Sequence, residues 1–300
     1  MWLKYGADPH GHLKEVGNVP GGKTNLACPY CGGRLTAKKG RVKSHHFAHA
    51  GETCKPVSER HKTKRWPGLP LYDRFNIQLP GREVEQLKVL WRTYGVRGAA
   101  IPRDLIDLRW RLRGLIECDG DRCELSDLGK IPVGALSLGK FNAVQEPLLL
   151  SEWQAYRGRA ERADTANLSA AGEYRADLRI YEAQLRRIWL NQLYFLEVRA
   201  DGHLFHKIGI TRREIGDRIP EIRQDLKRQY ATVEVNLLGL WRHRGNVELY
   251  FKHRYSEFNH RIGGLTEYFR FPDVKAVLND LHGMGPKVLS EVEERILRES

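Results

Sequence analysis

The feature that most restricts this chain is a run of metal-ligand residues near its start: Cys28-Pro-Tyr-Cys31, then His45, His46, His49 and Cys54. Two cysteines two residues apart form a knuckle whose thiolates can share one ion, and a later His/Cys pair closes a tetrahedron. Gly32 and Gly33 free the backbone for the turn behind the knuckle. The segment is short, basic and glycine-rich, so it has too little apolar surface to fold unaided, and an ion supplies what a core cannot. The spacing predicts structural zinc on Cys28, Cys31, His49 and Cys54, with His46 competing for the last place. His45 directly precedes His46, so at most one of the two faces the ion. With three of the five cysteines in this cluster, cysteine usage reads as metal ligation in a reducing compartment, the cytoplasm, and not as a disulfide frame.

The 300-residue sequence as a whole has the composition of a folded chain, with 41% apolar and 29% charged residues. No apolar run approaches the eighteen or so residues of a spanning helix. Lys4, Asp8, His10, His12, Lys14 and Glu15 are wrong for a signal peptide, so membrane and secreted classes are not expected. The net charge of +13 is the balance of a nucleic-acid binder. It is concentrated at the start: residues 1–75 carry +9, residues 76–140 carry +2, residues 141–190 are neutral and residues 191–300 carry +2. These blocks are also the expected division of a multidomain α+β chain. Pro67, Gly68, Pro70, Pro80 and Gly81 mark the first boundary.

In the second block, Val84, Leu87, Trp91 and Tyr94 repeat as one helix face, and Leu105, Leu108 and Leu112 share a side of a second helix. Asp119-Gly120 signals a two-residue hairpin. Centring the turn there opposes Glu117 to Arg122, whereas a shift of one residue opposes Glu117 to Glu124 and Cys118 to Cys123. Charge favours the first register, so neither a disulfide nor a metal is expected at Cys118 and Cys123. Two helices followed by a short ribbon resemble a winged helix-turn-helix domain. That resemblance implies DNA contact through Arg103, Arg109, Arg111 and Arg113 on or beside the recognition helix. The third block reads as helix broken near Ser169–Gly172. Its stripe of Leu178, Tyr181, Leu185 and Ile188 suits packing on a neighbouring domain or, alternatively, a homodimer seam.

From Leu193 the period changes to two. Asp201-Gly202 pairs residue 200 with 203 and hence 194 with 209, which puts Tyr194, Leu196, Phe205, Lys207 and Gly209 on one face. A helix capped by Asp217 follows, with Pro220 in its first turn, Arg218 near its start and Ile219, Ile222 and Leu226 inward. Val247–Arg254 reads as another helix, where Glu248 sits in the first turns and within i, i+4 reach of Lys252.

Two further resemblances carry functional expectations. The run Cys28-Pro-Tyr-Cys31, Lys38-Lys-Gly40, His46-Phe-Ala-His49, Cys54, Glu59-Arg-His61 and Lys64 resembles the N-terminal module of CoiA-like competence proteins over about residues 25–65. In that family a nuclease domain follows the module. Here a Pro-rich break intervenes, and the family's nuclease motif is not carried over. Tyr194, Lys207-Ile-Gly209, Arg218, Glu248, His253 and Glu267-Tyr-Phe269 resemble the GIY-YIG nuclease superfamily, in its Lys-Ile-Gly branch, over about residues 191–275. The resemblance implies a small antiparallel sheet flanked by helices and a metal-dependent phosphodiesterase. Its catalytic set would be Tyr194, Lys207, Arg218, Glu248 and His253, with Arg218 on the scissile phosphate and Glu248 holding Mg²⁺ or Mn²⁺. The first motif lacks its usual glycine, and Lys207 stands where a tyrosine is usual, so that residue would act either as general base or as charge stabiliser. The expectation is a DNA endonuclease; the alternative is a non-catalytic DNA-binding protein with a degenerate nuclease domain. RNA fits less well, since no aromatic RNA-stacking motif appears.

Overall fold

Short strands and turns dominate the start of the chain, long helices its middle, and nine-residue strands alternating with helices its last part. In the computed structural model, which describes residues 2–40, 42–63 and 65–298, the first elements are β1 (Tyr5–Ala7), β2 (Leu13–Glu15), β3 (Gly22–Ala27), β4 (Arg34–Lys38), β5 (His46–His49) and α1 (Lys55–Thr63). There follow α2 (Gly81–Thr93), α3 (Leu108–Leu112), β6 (Ile116–Asp119), β7 (Arg122–Leu125) and α4 (Asp127–Lys130), then the helices α5 (Leu138–Thr165) and α6 (Ala171–Leu190). The last part comprises β8 (Gln192–Ala200), β9 (His203–Thr211), α7 (Ile215–Leu226), β10 (Val233–Trp241), α8 (Glu248–Arg254), β11 (Tyr268–Phe269), α9 (Val274–His282) and α10 (Glu291–Arg298). The chain is mixed α+β, as expected. Among the described residues no helix is long and apolar enough to cross a membrane.

Two compact units share these elements. One comprises Met1–Leu69, Leu149–Arg186 and Glu291–Ser300, the other Pro70–Leu148 and Arg187–Ser290. These units do not follow the four consecutive blocks: residues of the expected spacer belong to both.

In the first unit, an antiparallel sheet in the order β2-β1-β3-β4-β5 packs on a small core of Leu3, Val16, Leu26, Leu35, Ala37, Phe47 and Val57. The α5–α6 stretch buries Tyr181 and Leu185 completely, and the Tyr181 hydroxyl donates to the Leu149 carbonyl at 2.9 Å. The stripe expected to pack inward does so at Tyr181, Leu185 and Ile188, with Leu178 half-buried.

In the second unit, the β8–β9 hairpin has the expected register, Ala200 opposite His203 and Tyr194 opposite Gly209. It forms the middle of a sheet ordered β10-β8-β9-β11. Alternation splits its side chains between two cores. Leu193, Phe195 and Ile208 join Phe141, Tyr250, Phe251 and Phe269, while Tyr194, Leu196, Val198 and Phe205 join Ile222, Leu226 and Tyr268. α7 begins at Ile215, earlier than Asp217 would cap it, with Glu214 at its N-cap. Pro220 is therefore inside the helix, not in its first turn, because packing of the apolar side starts at Ile215.

Two expectations for residues 76–140 are corrected. The β6–β7 register opposes Glu117 to Glu124 and Cys118 to Cys123, and the two cysteines are disulfide-bonded. The turn falls on Gly120-Asp121, with Gly120 at φ +56°, which glycine adopts without a Cβ clash. This register sets Ile116 opposite Leu125 and turns both with Cys123 into one core, a larger gain than a single exposed Glu117–Arg122 pair. The second correction concerns Leu105, Leu108 and Leu112, which are exposed; Ile101, Trp110 and Leu115 occupy the core instead. The α2 face is as expected, with Leu87 buried and Val84, Trp91 and Tyr94 packed beside it.

Candidate functional site

Two clusters of chemistry-bearing side chains stand out, one in each unit. The first is built on strand ends. Cys28 follows β3, Cys31 sits in the next turn, His49 closes β5 and Cys54 precedes α1. Their ligand atoms all lie within 4.8 Å of one another, and Cys31 Sγ is 3.3 Å from His49 Nε2. Backbone bonds shape the knuckle: Cys28 N–H donates to the Gly33 carbonyl and Gly32 N–H to the Cys28 carbonyl, each at 2.8 Å. Burial, then the neighbouring thiols, pushes the Cys28 thiol up to about 12, and burial raises Cys54 as well. Three thiolates cannot share this volume without a cation to neutralise them, so three sulfurs and one imidazole fit a divalent ion that prefers a tetrahedron. His46 is not in the set. Alternation along β5 turns it away from His49's neighbours, its Nδ1 meets the Ser44 carbonyl at 2.9 Å, and its ring stacks on Trp2.

Sequence reasoning missed what supports this cluster. Tyr30, inside the knuckle, donates to Asp177 of α6 at 2.6 Å. Arg60 lies over the Tyr30 ring at 4.4 Å and pairs with Asp177 at 2.7 Å and Glu173 at 3.2 Å. Partners more than a hundred residues apart leave no local signal.

The second cluster lies on the Tyr194 face of the β8–β9 hairpin. Tyr194 is buried, with its ring over Gly209; a Cβ there would sit 2.3 Å from the phenolic oxygen. Arg218 of α7 pairs with Glu221, which Arg213 also grips at 2.6 and 2.9 Å, and the Arg218 charge is felt at the Tyr194 oxygen. Burial pushes the Tyr194 phenol up to about 12, although Arg218 pulls the other way. The two arginines hold the Glu221 carboxyl down at about 2. Lys207, on the same face, is buried and pairs with Glu267. Burial lowers its pKa and Glu267 opposes that shift. Lys252 of α8 bridges two carboxylates, at 2.9 Å from Glu248 and 3.4 Å from Glu267. Tyr194, Lys207, Arg218 and Glu248 are thus brought together, and Lys252, Glu267 and Glu221 complete the group. The i, i+4 spacing of Glu248 and Lys252 was the readable signal for one of these. His253 is not brought in: its ring stacks on Phe75 and its Nε2 faces the Ile131 and Pro132 carbonyls at 3.0 and 3.2 Å. One helix cannot point both Glu248 and His253 the same way, because five residues advance it well past a full turn.

Residues 15–56 match the family described as competence protein CoiA, N-terminal domain. The match runs from β2 to the start of α1 and contains all four metal-ligand residues. No curated protein and no solved structure matches the chain. Just beyond the CoiA-like segment, Glu59 and His61 lie on α1, whereas Lys64 is outside the described residues. The four arginines expected at DNA are exposed, but three have partners. Arg103 meets the Gly120 carbonyl, Arg109 pairs with Asp107, and Arg113 donates to the Ile77 carbonyl at 2.6 Å; Arg111 is simply exposed.

Proposed function

We propose that this protein is a DNA endonuclease of the GIY-YIG kind whose CoiA-like segment is a structural zinc module serving DNA processing. The observation that carries the reading is that Tyr194 and Lys207 share one face of the hairpin, with Arg218 acting on the Tyr194 oxygen and Glu248 linked to Lys207 through Lys252 and Glu267, in the chain order of the motif. Support for a DNA substrate comes from the CoiA-like match and from the +13 charge. The order α2, bridge at Ile101, turn at Arg103–Leu105, α3 and the β6–β7 ribbon is compatible with a winged helix beside it.

Hydrolysing a phosphodiester builds negative charge on nonbridging and leaving oxygens. Arg218, held by Glu221, meets that charge from the start of α7. Lys207 keeps its proton on Glu267 in this reading and acts as charge stabiliser rather than base. The Lys252 ammonium between Glu248 and Glu267 is a stand-in cation, and the two carboxylates are hard oxygen donors of the sort Mg²⁺ or Mn²⁺ takes. When bound, such an ion supplies Lewis-acid polarisation of the phosphate. His253 has no role in the reaction.

A second reading, a non-catalytic DNA binder, draws on the same Lys252, which neutralises the carboxylate that would hold the ion. Single-stranded, duplex, branched and modified DNA incubated with Mg²⁺ or Mn²⁺ separates the two. Glu248→Gln and Arg218→Ala should each lower cleavage by roughly 10²-fold or more while DNA binding persists. Lys207→Arg should keep part of the activity and Lys207→Tyr none. Cleavage unchanged in both Glu248→Gln and Arg218→Ala would sink the site; wild-type protein that cuts none of these substrates leaves the non-catalytic reading.

A further inference from the structure

Trp2 is a large aromatic left 37% exposed in the most basic part of the chain. It is not stranded there. His46 stacks on it with ring centroids 4.6 Å apart and planes 29° from parallel, and His61 of α1 tilts against it at 4.9 Å. The Lys43 ammonium lies 5.7 Å from the Trp2 ring centre. Lys38, the register partner of His46 across β4–β5, shares its sheet face and is exposed, as is Lys62 beside His61. The metal-ligand set uses His49 and neither His46, whose Nδ1 meets the Ser44 carbonyl, nor His61, whose ring also packs edge-on against Trp66 at 5.3 Å.

We propose that Trp2, His46 and His61 with the surrounding lysines form a stacking platform for the unpaired bases of single-stranded nucleic acid. Every base offers a π-face, and an exposed indole backed by an imidazole offers a matching one, while lysines follow the phosphates. A duplex hides those faces inside its own stack, so the platform distinguishes strand structure rather than sequence. Trp2 and Lys43 are 41 residues apart, and no stretch of sequence announces the group. The proposal concerns binding alone and stands whether or not the cluster around Tyr194 cuts DNA.

Dye-labelled oligothymidine, oligouridine and a duplex, titrated into the full-length protein without added Mg²⁺ or Mn²⁺, test it by fluorescence anisotropy. Wild type should bind at least one single strand with a partner-independent stacking gain, the tighter of the two marking DNA or RNA as the source. Trp2→Ala should weaken single-strand binding roughly 5- to 100-fold and leave duplex binding unchanged, and Trp2→Phe should lose less. Lys43→Ala should lower the salt slope by about 0.7, one phosphate's worth on a single strand. Should Trp2→Ala fail to fold, judged by metal content and thermal melting, Trp2→Phe and His46→Leu carry the same comparison. Equal losses on single strands and duplex, or no loss in any of these variants, would overturn the proposal.

Discussion

The sheet of the CoiA-like segment and the β8–β9 sheet of the second unit are both small, antiparallel and built on tight hairpins, yet different forces hold them. The first packs one small core of eight buried residues, one of which, Cys28, is itself a candidate ligand. The second is covered on both faces, by aromatic clusters on one side and by α7 on the other. A sheet with one thin core has most to gain from an ion held by the Cys28, Cys31, His49 and Cys54 group, whereas a sheet with two cores relies on complementary packing. Chemistry follows the same split: the first sheet brings three cysteines and His49 close enough to hold an ion, and the second can bury Tyr194 and Lys207 because enough apolar surface surrounds them.

Removing one ligand should have the largest effect and should touch one sheet only. Cys28→Ser should remove a metal whose binding is worth on the order of 10 kcal/mol in small zinc modules. Hydrogen exchange should then accelerate across residues 22–49 and stay slow across 192–211. Protection that persists in the first stretch would show that the small core suffices alone.

Gly209→Ala inverts the comparison. A Cβ 2.3 Å from the Tyr194 oxygen must push the ring off its floor, so unfolding should show a loss of about 2 kcal/mol confined to the second unit. The metal content should be unaffected.

His206 sharpens the picture of the second sheet. It is buried between Phe195 and Phe271, and neither ring nitrogen has a partner among the described residues. Burial lowers its pKa below 6.5, with Glu197 opposing. The folded form therefore resists protonation: its stability is fully present above pH 6.5 and declines as pH falls through the depressed folded value. This one group contributes up to about 1.4 kcal/mol per pH unit in that window. His206→Phe should flatten this acid dependence in melting curves from pH 7 downward; an unchanged slope would assign the effect to other histidines.

The smallest effect is expected at Leu112, which is 78% exposed. Leu112→Lys should shift stability by no more than about 0.5 kcal/mol. A large loss would mean that the helical spacing of Leu105, Leu108 and Leu112 marks a buried face after all.

How much could be read in advance follows the same physical line. The β8–β9 register was legible because Asp201-Gly202 offers one good turn and both strands are long. The β6–β7 register was not, because Gly120 serves turns centred one residue apart, and the choice fell to Ile116 and Leu125 finding the same core. The sequence ranked His49 among the ligands and kept His46 as a competitor for the last place; strand alternation and Trp2 removed His46. His253 joined the expected catalytic set by order along the chain, and helix geometry took it out.

By itself, the amino-acid sequence determined the features set by neighbours: the ligand spacing of Cys28, Cys31, His49 and Cys54, the hairpin of Tyr194 and Gly209, the inward stripe of Tyr181 and Leu185, and the concentration of positive charge at the start. These depend on turns, alternation and helical period, which a few consecutive residues specify. Only the tertiary structure decided which carboxylate meets which cation, that Lys252 stands between Glu248 and Glu267, that Asp177 supports the knuckle at Tyr30, and that Trp2 meets His46 and His61. Those pairings join residues far apart in the chain, and their energies exist only once apolar burial has brought the elements together and removed the water between them.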